Sequence, residues 1–185
     1  WDKFFEHFRG RQFSHLLDIG GATGTWSMEF LRKQPRAKAT LYDLPDVIEM
    51  ARDRIKAEGF AGQIEPAAGD YEQDTELPGG ADVALLSAIA HQNCREMNRR
   101  LYAMVYRSLA DDGVIVIRDV VMEPSRTQPF GGAMFAVNML VATEGGGTFT
   151  LDEYRSDLES AGFARAELIH HDEHMDSLII ATKEP

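Results

Sequence analysis

The chain has 185 residues, 44% of them apolar and 26% charged, and a net charge of −11. This length fits one domain with a buried core, and an acidic balance without a basic stripe argues against nucleic acid or an anionic membrane as partner. The single Cys94 excludes an internal disulfide framework and suits a reducing, cytoplasmic setting, while no apolar run approaches the ~18 residues of a membrane span.

Trp1, Phe4, Phe5 and Phe8 lie at helical spacing and predict a helix over 2–9. Its apolar face begins at the first residue, so this chain is expected to be one domain of a longer protein. His15–Ile19 reads as a first strand and Thr25–Lys33 as the helix after it, ended near Pro35. A second strand over 37–42 closes at Asp43-Leu44-Pro45, and a helix over 46–58 stops at Gly59. Ile64–Ala68 is the third strand, with Gly69-Asp70-Tyr71 at its end and a polar loop over 72–80. Ala81–Ser87 is nearly continuous apolar sequence, as a buried parallel strand requires. A long helix over 93–109, a turn at Asp111-Asp112-Gly113 and a fifth strand over 114–120 follow. The mostly apolar stretch 130–143 predicts a helix, and Gly145-Gly146-Gly147 a flexible break. Thr150 with Glu153 three positions on forms a capping box for a helix over 151–161. Ala164–His170 and Ser177–Thr182, joined by a short link, predict an antiparallel pair. The fold class is therefore α/β, a doubly wound seven-stranded sheet, mostly parallel with a C-terminal antiparallel hairpin.

The chemistry is expected at the C-terminal ends of the strands. Gly20-Gly21-Ala22-Thr23-Gly24 follows the first strand directly, so backbone can approach a ligand at the start of a helix. Neither the dinucleotide spacing G-x-G-x-x-G nor the phosphate loop G-x-x-x-x-G-K-[ST] is present. The alternative is a plain strand-to-helix turn. Asp18, Asp43 and Asp70 end three successive strands. Asp43 is placed to accept two hydrogen bonds from a ribose diol, or else to start the Leu44-Pro45 turn. Asp70 and Tyr71 fall where a nucleoside base would lie, as acceptor and aromatic wall, or are an ordinary loop acid and a surface tyrosine. His91 lies just past the fourth strand, where a neutral imidazole can take a hydroxyl proton, or is structural. His170, His171, Asp172, Glu173 and His174 have metal-ligand chemistry. They fall in the hairpin link, away from that edge, and read as a solvated turn, so no metal is expected.

Several motifs, in order, carry a resemblance. Asp18-Ile19-Gly20-Gly21-Ala22-Thr23-Gly24 resembles the D-x-G-x-G-x-G motif of S-adenosylmethionine-dependent methyltransferases, with Ala22 at the middle glycine. Leu41-Tyr42-Asp43-Leu44-Pro45 matches the "D-L-P" of small-molecule O-methyltransferases of the plant and bacterial type, and Gly69-Asp70-Tyr71 their G-D-M/F-F segment. The run from Asp82 to Asn93 resembles their D-A-x-x-x-K-x-x-x-H-D-W block, with Ser87 for Lys and Gln92-Asn93 for Asp-Trp. Met139-Leu140 through Gly145-Gly146-Gly147-Thr148 is similar to their M-L…G-G-K-E stretch, with Thr148 for the Glu.

The resemblance implies a Rossmann-like fold binding S-adenosylmethionine, with S-adenosylhomocysteine as product. Asp18, Gly20, Gly24, Asp43, Leu44, Asp70, Tyr71 and Ser87 would hold the cofactor. His91 would be the general base, oriented by Asp119. Phe130, Met134, Phe135, Asn138 and Met139 would line the pocket of a small, aromatic or polyketide-type acceptor, unless that helix is core or dimer interface. A homodimer formed through a missing N-terminal helical domain is implied as well. Rival readings are C- or N-methylation, a non-methylating enzyme on the same fold, and a non-catalytic cofactor-binding or dimer-partner domain.

Overall fold

Leu16 and Leu17 are both fully buried, and because successive side chains of a strand point to opposite faces, both faces of the sheet must be covered. The computed structural model, which describes residues 1–184, shows how. The elements are α1 (Asp2–His7), β1 (His15–Ile19), α2 (Thr25–Lys33), β2 (Lys38–Asp43), α3 (Pro45–Ala57), β3 (Ile64–Ala68) and β4 (Ala81–Ser87). A 3-10 turn (Ala90–Gln92) leads to α4 (Arg95–Ser108), β5 (Leu109–Asp119), β6 (Val121–Met122), α5 (Phe130–Ala142), β7 (Phe149–Thr150), α6 (Leu151–Ser160), β8 (Ala164–His170) and β9 (Ser177–Thr182).

Seven strands form one sheet in the order β3-β2-β1-β4-β5-β9-β8. The pairs from β3 to β5 are parallel, and β9 runs antiparallel to both β5 and β8. The fold is thus the mostly parallel seven-stranded α/β sheet with its antiparallel C-terminal hairpin. Leu16, Leu41, Val83 and Val116 pack with Phe4, Met28, Phe30, Ile48 and Ile55 from α1 to α3. On the other face Leu17, Leu86, Ile115 and Ile117 pack with Leu101, Tyr102 and Val105 of α4 and Tyr154 and Leu158 of α6. Each such large apolar side chain contributes about 1.5–3 kcal/mol by leaving water. Chain order reverses between β1 and β4, so a crevice opens there at the carboxyl ends of the strands.

Three local features differ from expectation. The Asp111-Asp112-Gly113 turn lies inside β5, which starts at Leu109; Asp112 has φ +60° and the ladder to β4 shifts register between Ala81 and Val83. The turn residues are accommodated as an irregularity rather than a break. The helix expected from 93 starts at Arg95, because Asn93 and Cys94 are extended. A two-residue ladder, β6 with β7, forms a second small sheet. The capping box is present: Thr150 Oγ1 accepts from Glu153 N at 3.3 Å, and Glu153 Oε2 accepts from Thr150 N at 2.9 Å. Among the described residues no helix is long and apolar enough to cross a membrane.

Candidate active site

The loop after β1 needs its glycines. Gly20 (φ +67°) and Gly24 (φ +78°) are in the left-handed region, and a Cβ on Gly20 would fall 2.4 Å from Ile89 Cδ1. Ala22 shares that conformation at φ +49°. Its strain is offset by a bond from its N–H to Asp43 Oδ2 at 2.8 Å. Asp43 Oδ1 accepts from Leu44 N at 2.8 Å, so two backbone donors orient the carboxylate and leave its other lone pairs open.

Gly20, Ala22, Asp43 and Leu44 line a cleft of about 330 Å³. Gly20, Asp43, Leu44, Asp70 and Tyr71 are in its wall, together with Tyr42, Val47, Ile89 and Gln92, to which the sequence reading gave no role in the site. Leu44 is 47% exposed at its edge, an apolar side chain that stays open to solvent. Asp18, Gly24 and Ser87 are not in the wall. Gly24 is the N-cap of α2. Ser87 accepts a hydrogen bond at 3.2 Å from Arg118, which also pairs with Asp176. Asp18 is fully buried; its Oδ2 accepts from Ser27 Oγ at 2.7 Å, while its Oδ1 has no partner. Burial, only partly offset by Ser27, pushes the Asp18 carboxyl up to about 6.

The loop carrying Asp70 and Tyr71 is gripped from two sides. Asp74 Oδ2 accepts from Tyr42 Oη at 2.6 Å and from Asp70 N at 3.1 Å. Arg100 of α4 donates to the carbonyls of Glu72 at 2.8 Å and Asp74 at 2.7 Å. A Cβ on Gly69 would meet the Tyr42 ring at 2.4 Å, so the loop lies flush against it. Burial raises the Tyr71 phenol above its ordinary value and keeps it a donor.

Beyond β4 the 3-10 turn presents His91, 6% exposed, beside the fully buried Asp119 at the end of β5. His91 Nδ1 lies 2.9 Å from Asp119 Oδ1 and 3.0 Å from Oδ2, and His91 N donates to Oδ2 at 3.2 Å. A carboxylate only accepts, so Nδ1 carries a proton toward Asp119, and Nε2 makes no hydrogen bond among the described residues. The His91 ring meets Phe135 of α5 edge-on at 4.8 Å. The Gly145-Gly146-Gly147 segment is not a slack break. Gly147 N donates to the His91 carbonyl at 2.9 Å, and a Cβ on Gly146 would fall 2.5 Å from that same oxygen. Thr148 is buried and donates to the Gly132 carbonyl at 3.4 Å.

The expected acceptor residues all lie on α5 but are unevenly placed. Phe135 and Met139 are half-buried, Asn138 is exposed, and Phe130 and Met134 are 69% and 52% exposed. Only Gly132 of that helix is buried. In the hairpin link, Asp172 accepts from His174 N at 2.7 Å, and Asp172 N donates to Ser177 Oγ at 2.9 Å.

Comparison with known proteins agrees with this geometry. A 3-hydroxy-5-methyl-1-naphthoate 3-O-methyltransferase of Streptomyces sahachiroi is 34% identical over 83% of this chain and 44% of its own length. The human N-acetylserotonin methyltransferase, solved with S-adenosylmethionine, superposes with a TM-score of 0.83 at 28% identity, over 94% of this chain and 48% of that one. An O-methyltransferase family 2 protein of Planctomyces limnophilus, solved with apigenin, gives 0.83 at 30% identity, over 91% of this chain and 49% of that one. The chain thus spans about half the length of these relatives. The O-methyltransferase domain family model matches residues 2–164, and the chain belongs to that family.

Proposed function

We propose that this chain is the catalytic domain of an S-adenosylmethionine-dependent O-methyltransferase acting on a hydroxyl of a small aromatic or polyketide-type molecule. The carrying observation is the buried His91–Asp119 pair, its His91 flanked in the chain by the cleft-lining Ile89 and Gln92 and one imidazole nitrogen left without a partner. A cytoplasmic setting, a homodimer and a preceding helical domain belong to the same proposal.

The residues fit the cofactor. A loop with no room for a Cβ and the two carboxylates of Asp43 and Asp70 in the cleft wall are what a polar, nucleoside-bearing ligand requires. Asp43 would accept from the ribose hydroxyls, and Asp70, Tyr71 and Leu44 would border the base. Gly20 would give backbone access, while Gly24, which caps α2, and the buried Asp18, which accepts from Ser27, would support the loop from behind the wall. Ser87, turned to Arg118, is the least directly placed of the expected cofactor residues. The cofactor supplies an electrophilic methyl group on a positively charged sulfur. The protein's part is therefore proximity and deprotonation.

His91 Nε2 would take the acceptor hydroxyl's proton. Asp119 holds the ring by Nδ1 and stabilises the imidazolium that results. Phe135 and Met139 would border the acceptor, with Phe130, Met134 and Asn138 further along α5. A second reading, transfer to nitrogen or carbon, is favoured by Thr148, which offers no carboxylate where the family motif has one.

The test is turnover with a panel of phenolic acceptors, with products identified by mass and NMR. His91→Ala should lower turnover by about a hundredfold or more and leave S-adenosylhomocysteine affinity unchanged. Full activity in that variant would remove His91 from the mechanism, and an N- or C-methylated product would select the second reading.

A further inference from the structure

Three side chains run in one line from the cleft to the turn that carries His91. Tyr71 Oη donates to Asn93 Oδ1 at 3.3 Å, Asn93 Nδ2 donates to Asn98 Oδ1 at 3.1 Å, and Asn98 Nδ2 donates to the Ala90 carbonyl at 2.9 Å. The direction of this chain is dictated at one end. A backbone carbonyl only accepts, so Asn98 must present its nitrogen there and its oxygen to Asn93. Asn93 must then turn its own oxygen to Tyr71, whose hydroxyl is left to donate.

Both amides are buried, Asn93 at 5% and Asn98 at 1% exposure. Asn98 shares the inward face of α4 with Leu101, Tyr102 and Val105, where an aliphatic side chain would have nothing polar to satisfy. The chain is satisfied only when intact, which makes it directional and rigid. Its two ends are the wall of the cleft and the residue before His91.

We infer that Asn93 and Asn98 are positioning residues that hold the Tyr71 wall and the His91 turn in one frame. Cofactor and base are thereby set at a fixed separation. This rests on the cofactor reading of the cleft given above.

The experiment compares wild type, Tyr71→Phe, Asn98→Ala and the double variant. S-adenosylhomocysteine binding is measured by calorimetry, the His91 ring signals by NMR with and without that ligand, and folding by thermal melts. Each single change should weaken binding about five- to tenfold, and the double should be no weaker than Asn98→Ala alone. The ligand-induced shift of the His91 signals, present in wild type, should be lost in both single variants. A merely structural role would lower the melting temperature and leave the affinity and the His91 response of the folded protein intact. Tyr71→Phe keeps the ring, so it reads the chain even if Asn98→Ala does not fold. Affinity within twofold of wild type in Tyr71→Phe with an unchanged His91 response, or losses that add in the double variant, would overturn the inference. A wild-type chain that fails to bind the ligand overturns the cofactor reading and this inference together. Binding with indifferent variants overturns this inference alone.

Discussion

The cleft over β1, β2 and β3 and the helix α5 beside His91 are built in opposite ways. In the cleft the wall is fixed by hydrogen bonds between backbone and side chain: Asp43 by the N–H groups of Ala22 and Leu44, Asp70 N by the Asp74 carboxylate, and the Tyr71 loop by the Arg100 guanidinium. On α5 only Gly132 is buried, and Leu140 and Val141 are 75% and 84% exposed. The cleft is preorganised by hydrogen bonds of this chain's own fold, whereas α5 is an apolar helix with little of its surface buried. A cofactor common to a family suits the first construction, and an acceptor that varies among relatives suits the second. His91 stands at the border, with Asp119 on the rigid side and Phe135 on the other.

That contrast can be broken or sharpened by substitution. The largest effect is expected at the border. Asp119→Asn removes the group that holds the Nδ1–H tautomer, and turnover should fall by roughly 10²–10⁴ with S-adenosylhomocysteine affinity little changed. Steady-state kinetics beside calorimetry would show it, and unchanged turnover would sever the pair from the chemistry.

Next in size is Asp18, under the glycine loop. Its carboxyl is raised from 3.8 to about 6 by burial, so between those values the folded chain holds a proton that the unfolded chain has released. Wild-type stability should therefore fall as pH rises from about 4 to about 6 and stay lower above. Asp18→Asn lacks this penalty and should be more stable by roughly 2–3 kcal/mol at pH 7, with the gap closing near pH 4. The same variant should bind S-adenosylhomocysteine more weakly, since Asp18 lies against Gly21 of the glycine loop and accepts from Ser27 of α2. Urea titrations at several pH values test the first half. A stability gap that does not change with pH would refute it.

The smallest effect is expected on α5. Leu140→Ser, at a site 75% exposed, should change the stability of this chain by less than about 0.5 kcal/mol. A thermal melt showing a clear loss would mean that the helix is held more tightly than its exposure indicates.

What could be read from the sequence follows the same division. The continuous apolar run from Val83 to Leu86 in β4 was legible because a strand buried on both faces has one simple pattern, and the Thr150–Glu153 cap because its partners are three residues apart. Reading the glycine loop and the strand-end acids required only local chemistry and strand order. Arg100 and Asp74 were not legible. A polar residue on a helix or loop looks solvated until the fold brings its partner, 26 residues away in the case of Arg100 and the Asp74 carbonyl. Asn93 and Asn98 escaped for the same reason. The β6–β7 ladder is two residues long, too short for any periodicity to announce. The glycines at 145–147 were read as slack because glycine permits flexibility, whereas here Gly146 is needed for close approach to the His91 carbonyl.

The most direct test of the account is calorimetric titration of this chain with S-adenosylhomocysteine, run beside Asp43→Ala. Micromolar binding by wild type, weakened by about tenfold or more in the variant through loss of charge-assisted hydrogen bonds, is the predicted result. Absence of binding by the folded wild-type chain, or equal binding by both proteins, would contradict the assignment of the cleft.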